Sequence, residues 1–183
     1  MSTDLPTQPN ETWNPALKPI ETNYRGFLCR SRLEARWMLF FDELGFEFQY
    51  EPQGFVLPAG HHYLPDFWFP KVRYWGEVKP GELTGYEMEK SRQLALGSMR
   101  PLILLVGPPG FISYTVLAPQ QLDQSTELLE ESLSLDIHNY RKRYQEGGLW
   151  WCRQMEANED LFTPQYRAAV YASRAARFDE RSE

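Results

Sequence analysis

The sequence predicts an α/β fold in which a mixed central sheet is flanked by helices, and three observations carry that reading. An amphipathic helical stretch near the beginning is followed by a series of short aromatic and β-branched runs, as in a strand meander. A second helical stretch then precedes LILLV at 102–106, a continuous apolar run of strand length that suits a strand covered on both faces. Apolar residues make up 42% of the 183 and aromatics 15%, ample for a real core in one compact domain.

Residues 1–22 carry Pro6, Pro9, Pro15 and Pro19 among Thr, Asn and Glu. Such a composition does not bury enough apolar surface to offset the entropy of ordering, so a flexible leader is expected there. From Cys29 to Leu44, the residues Leu33, Trp37, Phe40, Phe41 and Leu44 recur at helical spacing, with Gly45 placed to end the helix. FEFQYE at 46–51 alternates Phe46, Phe48 and Tyr50 with polar residues, the period of a half-buried strand. GFVL, YLPDFWF and RYWGEVK continue as short strands separated by Pro58, Gly60, Pro70 and Lys71, with Pro65 marking a strand start, an edge or a bend.

Residues 86–96 read as a helix closing near Gly97, and ISYTVL, after GPPG, reads as the last strand. Leu122 to Tyr144 reads as a long helix, with acids early and Arg141, Lys142 and Arg143 late to suit the helix dipole. A final helix is expected over 164–178, approached by an irregular GGLWWCRQM in which Trp150, Trp151 and Cys152 suit a small apolar anchor. Its Arg and Ala residues fall on different sides, the pattern of a docking helix. The partition is a leader at 1–22, a core at 23–118 and a C-terminal helical extension at 119–183.

No apolar run approaches the roughly 18 residues that span a bilayer. The first residues lack a basic stretch followed by an apolar one, so no membrane segment and a cytoplasmic location are expected. Cys29 and Cys152 lie far apart without a CxxC, against a disulfide framework or a zinc site. The formal net charge of −6 counts against unaided binding of long duplex DNA, because phosphate contacts come from clustered Lys and Arg. It leaves open a carboxylate-rich metal site, or a recruiting protein partner that brings the substrate.

The chemistry concentrates in PDFWFPKVRYWGEVK, where ten residues separate Asp66 from Glu77. Two strands joined by a short turn place residues at that spacing across from one another, so the two carboxylates can converge on one cation. Glu77 and Lys79 are two apart on a strand and leave the same face, which sets an ammonium beside a carboxylate-bound metal. Hard oxygen ligands favour Mg²⁺, with Mn²⁺ able to substitute, and such an ion activates water and stabilises charge on a phosphoryl group. Lys79 then positions or deprotonates the water, or neutralises the phosphate. The plainer alternative for Glu77 and Lys79 is an exposed cross-strand charge pair.

The Pro-Asp, ten-residue gap and Glu-x-Lys pattern resembles the PD-(D/E)xK nuclease superfamily, whose restriction endonuclease-like αβββαβ core matches the expected element order from about 29 to 106. The resemblance implies metal binding by Asp66, Glu77 and the backbone carbonyl of Val78, and a catalytic role for Lys79. Many members place an acid on the first helix, and RSRLEARW puts Glu34 there, bordering the core-facing stripe of Trp37, Met38 and Phe41. Its role would be a metal or water ligand; the alternative is a surface partner of Arg30 one helical turn away. RSRLEARW, YLPDFW and EVKP are also similar to segments of small nuclease-like proteins of phages and bacterial mobile elements, implying a bacterium or a phage-infected cell as the setting.

The implied activity is Mg²⁺-dependent hydrolysis of phosphodiester bonds in DNA, with DNA favoured over RNA by the resemblance alone. The alternative is a catalytically silent copy of the fold that binds nucleic acid or scaffolds a recombination, repair or packaging complex. Arg30, Arg32 and Arg36, near Arg25 around the first helix, are candidates for phosphate contact, as are Arg174, Arg177 and Arg181. Trp68, Phe69 and Trp75 suit sheet core better than base stacking, and Lys90, His61 and His62 suit solvated positions.

Overall fold

In the computed structural model, which describes residues 19–58, 60–112, 114–122, 125–133 and 162–178, the first long helix starts where the sequence supplies its cap. A hairpin precedes it. Strand β1 (Thr22–Tyr24) pairs antiparallel with β2 (Phe27–Cys29) across Arg25 and Gly26, both left-handed at φ 49° and 84°. Helix α1 (Arg32–Leu44) follows, and its N-cap Ser31 accepts the Glu34 N–H through Oγ at 3.2 Å. Gly45 ends the helix at φ 70°, where a residue without Cβ meets no steric penalty. Cys29, expected inside this helix, is instead the last residue of β2.

The chain continues through β3 (Gln49–Tyr50), β4 (Phe55–Val56), β5 (His62–Tyr63), β6 (Phe67–Phe69), β7 (Tyr74–Lys79), α2 (Gly85–Ser98), β8 (Leu102–Val106), β9 (Tyr114–Leu122), β10 (Ser125–Leu133) and α3 (Pro164–Ala175). A six-stranded sheet runs in the order β10, β9, β8, β7, β6, β3, while β4 and β5 form a separate hairpin. Among the described strands only β7 and β8 are parallel, and the connection that parallel neighbours require is supplied by α2. The molecule is thus α/β with a mixed sheet between helices. Among the described residues no helix is long and apolar enough to cross a membrane.

Alternation along the strands divides the core in two. Phe67, Phe69, Val78, Ile103, Leu105 and Val116 face α1 and α3, where Trp37, Phe40, Phe41 and Tyr166 form an aromatic cluster. Trp75, Leu102, Leu104 and Leu117 face the other way and pack with Leu94 and Ala95 of α2. LILLV is covered on both faces, in agreement with its continuous apolar pattern. Only Gln49 and Tyr50 of FEFQYE enter the ladder, yet Phe46, Phe48 and Tyr50 all pack on the α1 side, so the alternation holds where the pairing does not.

Three sequence expectations are corrected. Residues 125–133, expected within a helix from Leu122 to Tyr144, form β10, paired with β9 from Leu122↔Ser125 to Leu133↔Tyr114. The backbone ladder offered by the neighbouring strand overrides a local pattern that satisfies helical periodicity, and positions 134–161, with the rest of that stretch and the GGLWWCRQM segment, lie outside the described residues. Helix α2 runs past Gly97, and Met99 makes the left-handed cap at φ 52°. Strand β9 crosses the boundary expected at 118–119, so the sheet itself extends into the C-terminal third.

Helix α3 starts at Pro164 as expected, with Thr163 as its N-cap, and ends at Ala175, short of the expected 178. It docks on α1 of its own chain, with Tyr166 Oη donating to Gly110 O at 2.7 Å and Arg174 Nε to Pro109 O at 2.7 Å. Gly76, in the middle of β7, lets β6 and β7 close beneath α1. A Cβ there would stand 2.9 Å from Phe69 Cε2 and 3.2 Å from Phe67 Cβ. Gly76→Ala is therefore expected to cost about 1–3 kcal/mol of stability by overpacking, read as a lower denaturant midpoint at unchanged slope.

Candidate functional site

The register of β6 on β7 pairs Phe67 with Gly76 and Trp68 with Trp75, so Asp66 stands opposite Glu77 one step further on. Both carboxylates emerge on the α2 face, and both are buried, at 3% and 5% exposure. The Glu51 N–H donates to Asp66 O at 2.8 Å, which turns the Asp66 backbone towards β3 and the backbones of Pro65 and Phe67 towards β7. Pro65 therefore stands across from Val78 with no N–H to offer its carbonyl. The Val78 N–H, which would have met Pro65, donates instead to Asp66 Oδ2 at 2.7 Å. Proline and aspartate together thus interrupt the ladder at this place.

Lys79, the last residue of β7, holds its ammonium 3.1 Å from Glu77 Oε1 and 3.2 Å from Glu87 Oε1. Glu87 is fixed by the capping box it forms with Thr84 at the start of α2. The exposed-pair alternative for Glu77 and Lys79 does not describe this geometry, because Glu77 is buried and its Oε2 has no hydrogen-bond partner among the described residues. The Tyr63 hydroxyl lies near enough to favour the charged form of Glu77, although the partner within bonding geometry is Ser91 Oγ at 3.4 Å.

Burial, and then the neighbouring Glu77 charge, push the Asp66 carboxyl well above the usual carboxylate range. Burial likewise raises Glu77, against the pull of Lys79. For Lys79 burial works against the ammonium, but Glu77 and Glu87 outweigh it and hold its pKa above that of an ordinary lysine.

Glu34 reaches the same region from the first turn of α1 and is buried. Its Oε1 accepts from Ser31 Oγ at 2.7 Å, and its Oε2 from Arg30 N at 3.0 Å and Tyr50 Oη at 2.5 Å. The relation to Arg30 is real but runs through the backbone. The Arg30 guanidinium bonds Asp66 Oδ1 through Nη2 at 2.7 Å and forms an ion pair with Glu51 through Nε.

A cleft of about 1020 Å³ is lined by Glu34, Asp66, Glu77, Val78 and Lys79 together with Arg30, Arg32, His62, Tyr63 and Lys90. All four residues expected to do chemistry meet there. Arg36 does not: its guanidinium donates to Ser173 O at 2.8 Å and to Arg174 O, tying down the end of α3. Arg25 pairs with Asp42 at 2.9 Å, away from the cleft. Phe69 and Trp75 are core residues, and Trp68 packs half-buried on Trp75. Lys90 is less solvated than its helix position suggests, standing 5.2 Å from the Tyr63 ring and 5.3 Å from the Tyr86 ring. Tyr50, Tyr63 and Glu87 were not singled out as site residues from sequence; the ExK spacing followed by the Thr84-x-x-Glu87 box was the available signal for the last.

Among the described residues no three His, Cys, Asp or Glu side chains stand together as a ready metal-ligand group. The donor chemistry nevertheless suits a divalent ion. Asp66, Glu77 and the Val78 carbonyl are hard oxygen donors, one carboxylate oxygen is buried without a hydrogen-bond partner among the described residues, and a cation would offset the cost of burying both charged acids. Comparison of the chain with protein-family models and with curated proteins finds no match. What fold and site together define is an α/β protein with buried paired carboxylates and a lysine in one cleft.

Because the two carboxyl pKa values are raised on folding, the folded state binds more protons than the unfolded one between the ordinary and the raised values. Their contribution to stability is greatest below that window and is lost as pH rises through it. With chelator present, the melting temperature is expected to fall as pH rises above the ordinary carboxylate range. Glu77→Gln removes one of the like charges while Lys79 keeps Glu87, so it should raise the melting temperature at the higher pH and flatten the trend. Arg36→Ala should cost about 1–2 kcal/mol by releasing the α3 carbonyls, read as a lower denaturant midpoint at unchanged slope.

Proposed function

We propose that this protein is a metal-dependent nuclease of the PD-(D/E)xK kind, which hydrolyses phosphodiester bonds in DNA. The observation that carries the reading is the buried opposition of Asp66 and Glu77 across neighbouring strands, with Lys79 3.1 Å from Glu77 and the ladder interrupted at Val78 by Pro65. A structural ion pair has no use for two convergent buried carboxylates, since burying like charges side by side is unfavourable unless a cation joins them.

Asp66, Glu77 and the Val78 carbonyl would hold Mg²⁺ or Mn²⁺. When bound, such an ion supplies activated water and charge for the phosphoryl oxygens. Lys79, held as an ammonium by Glu77 and Glu87, is suited to neutralise the phosphate under attack rather than to take a proton. Glu34, fixed by Ser31 and Tyr50, orients polar groups at the cleft's edge. The site lies where β7 and β8 end side by side, with Gly107 N donating to Lys79 O at 2.8 Å, the end of a parallel pair where α/β proteins place ligands.

One observation favours a second reading, a silent nuclease fold that binds nucleic acid: Arg30 already neutralises Asp66. Incubation of labelled single-stranded, duplex, flapped and four-way-junction DNA with Mg²⁺ or Mn²⁺ separates the two. Cutting that needs the metal and drops at least about a hundredfold in both Asp66→Ala and Lys79→Ala, with folding intact, supports the nuclease. Binding of DNA without cutting, and without any heat of Mn²⁺ binding, supports the silent form.

A further inference from the structure

We propose that Arg30 is the resident counter-ion of the acidic cluster, which a divalent cation displaces from Asp66, and that the freed guanidinium then holds a phosphate of the substrate. This rests on the metal-dependent reading and deepens it by naming the residue that couples metal to nucleic acid.

Asp66 has two carboxylate oxygens, and each is engaged differently. Oδ2 accepts the Val78 N–H at 2.7 Å, a bond built into the interrupted ladder. Oδ1 is held, among the described residues, by Arg30 Nη2 at 2.7 Å, and is the oxygen a metal ion would have to share or take. The two cations therefore compete. Arg30 is also the member of the pair that can leave: its side chain is 54% exposed, against 5% for Asp66.

The Arg30 backbone, by contrast, is fixed. Its N–H donates to Glu34 Oε2 at 3.0 Å and to Tyr50 Oη at 3.1 Å, so a switch needs only side-chain torsions. A planar guanidinium matches phosphate as well as it matches carboxylate, and Arg30 lines the same cleft as Lys79. Without metal, Arg30 is neutralised internally by Asp66 and Glu51, in a chain of net charge −6. With metal, the carboxylates are neutralised by the ion and the arginine faces the substrate.

Linkage makes this measurable, because metal and nucleic acid must then raise each other's affinity by one common factor. Mn²⁺ binding is measured by titration calorimetry on the full chain, for wild type, Arg30→Gln and Arg30→Lys, each checked for folding by its melting curve. Arg30→Gln should bind Mn²⁺ at least about fivefold more tightly than wild type, and Arg30→Lys, which cannot bridge two carboxylates in a planar fork, by a smaller factor. Short single-stranded and duplex oligonucleotides, titrated with and without Ca²⁺ and checked for integrity on a gel, give the second readout. Wild type should bind them about tenfold more tightly with Ca²⁺, and Arg30→Gln should lose that dependence. Unchanged or weaker Mn²⁺ binding in Arg30→Gln while wild type binds the ion overturns the inference and leaves the nuclease reading standing. If no form binds Mn²⁺, both fall; if Ca²⁺ dependence persists in Arg30→Gln, the phosphate role falls.

Discussion

Two carboxylates buried face to face on neighbouring strands set the terms for the rest of this molecule. Asp66 and Glu77 stand opposite each other because β6 and β7 pair in one register, and a shift of one residue would send one of them to the α1 side. Burial raises both groups, the Glu77 charge raises Asp66 further, and the surrounding residues offset that cost from several directions. The Val78 N–H and Arg30 satisfy Asp66, while Lys79 answers Glu77 and is itself steadied by Glu87 from α2. A site assembled around unfavourable charge would gain from a cation, and the proposed chemistry rests on that electrostatic argument.

The layers around the sheet divide the labour. On the α1 side, aromatic rings of α1, β6 and α3 interlock in edge-to-face contacts, and this dense core holds β6 and β7 rigidly in register. On the α2 side the packing is thinner and opens into the cleft, so the same two strands offer a firm back and a polar front. The N-terminal end of α1 joins the two sides: it carries Glu34 and fixes the Arg30 backbone beside the carboxylates. Far from the cleft, Arg36 fastens α3 to α1 and completes the hydrophobic back.

Legibility in the sequence followed range. The first helix, expected from Cys29 and found over Arg32–Leu44, its Gly45 end, the buried strand LILLV and the α3 start at Pro164 are written within one or two turns of chain, and local patterning reads them. The strand at Ser125–Leu133 was not legible as such, because its hydrogen bonds go to β9 and its local pattern also satisfies a helix. The fate of Arg36 was equally hidden, since its partners lie 137 and 138 positions away. Such pairings leave no periodic trace.

For the site, the sequence by itself determined the opposition of Asp66 and Glu77 and the adjacency of Glu77 and Lys79. A short hairpin of fixed spacing and a period of two leave those side chains little choice. Only the tertiary structure decided how deeply the carboxylates are buried, that Glu87 completes the lysine's surroundings, and that Arg30 rather than Arg36 enters the cluster. Those outcomes depend on three segments meeting, the turn before α1, the end of β3 and the start of α2. Burial and long-range charge pairing are properties of the packed whole, and no local stretch of sequence encodes them.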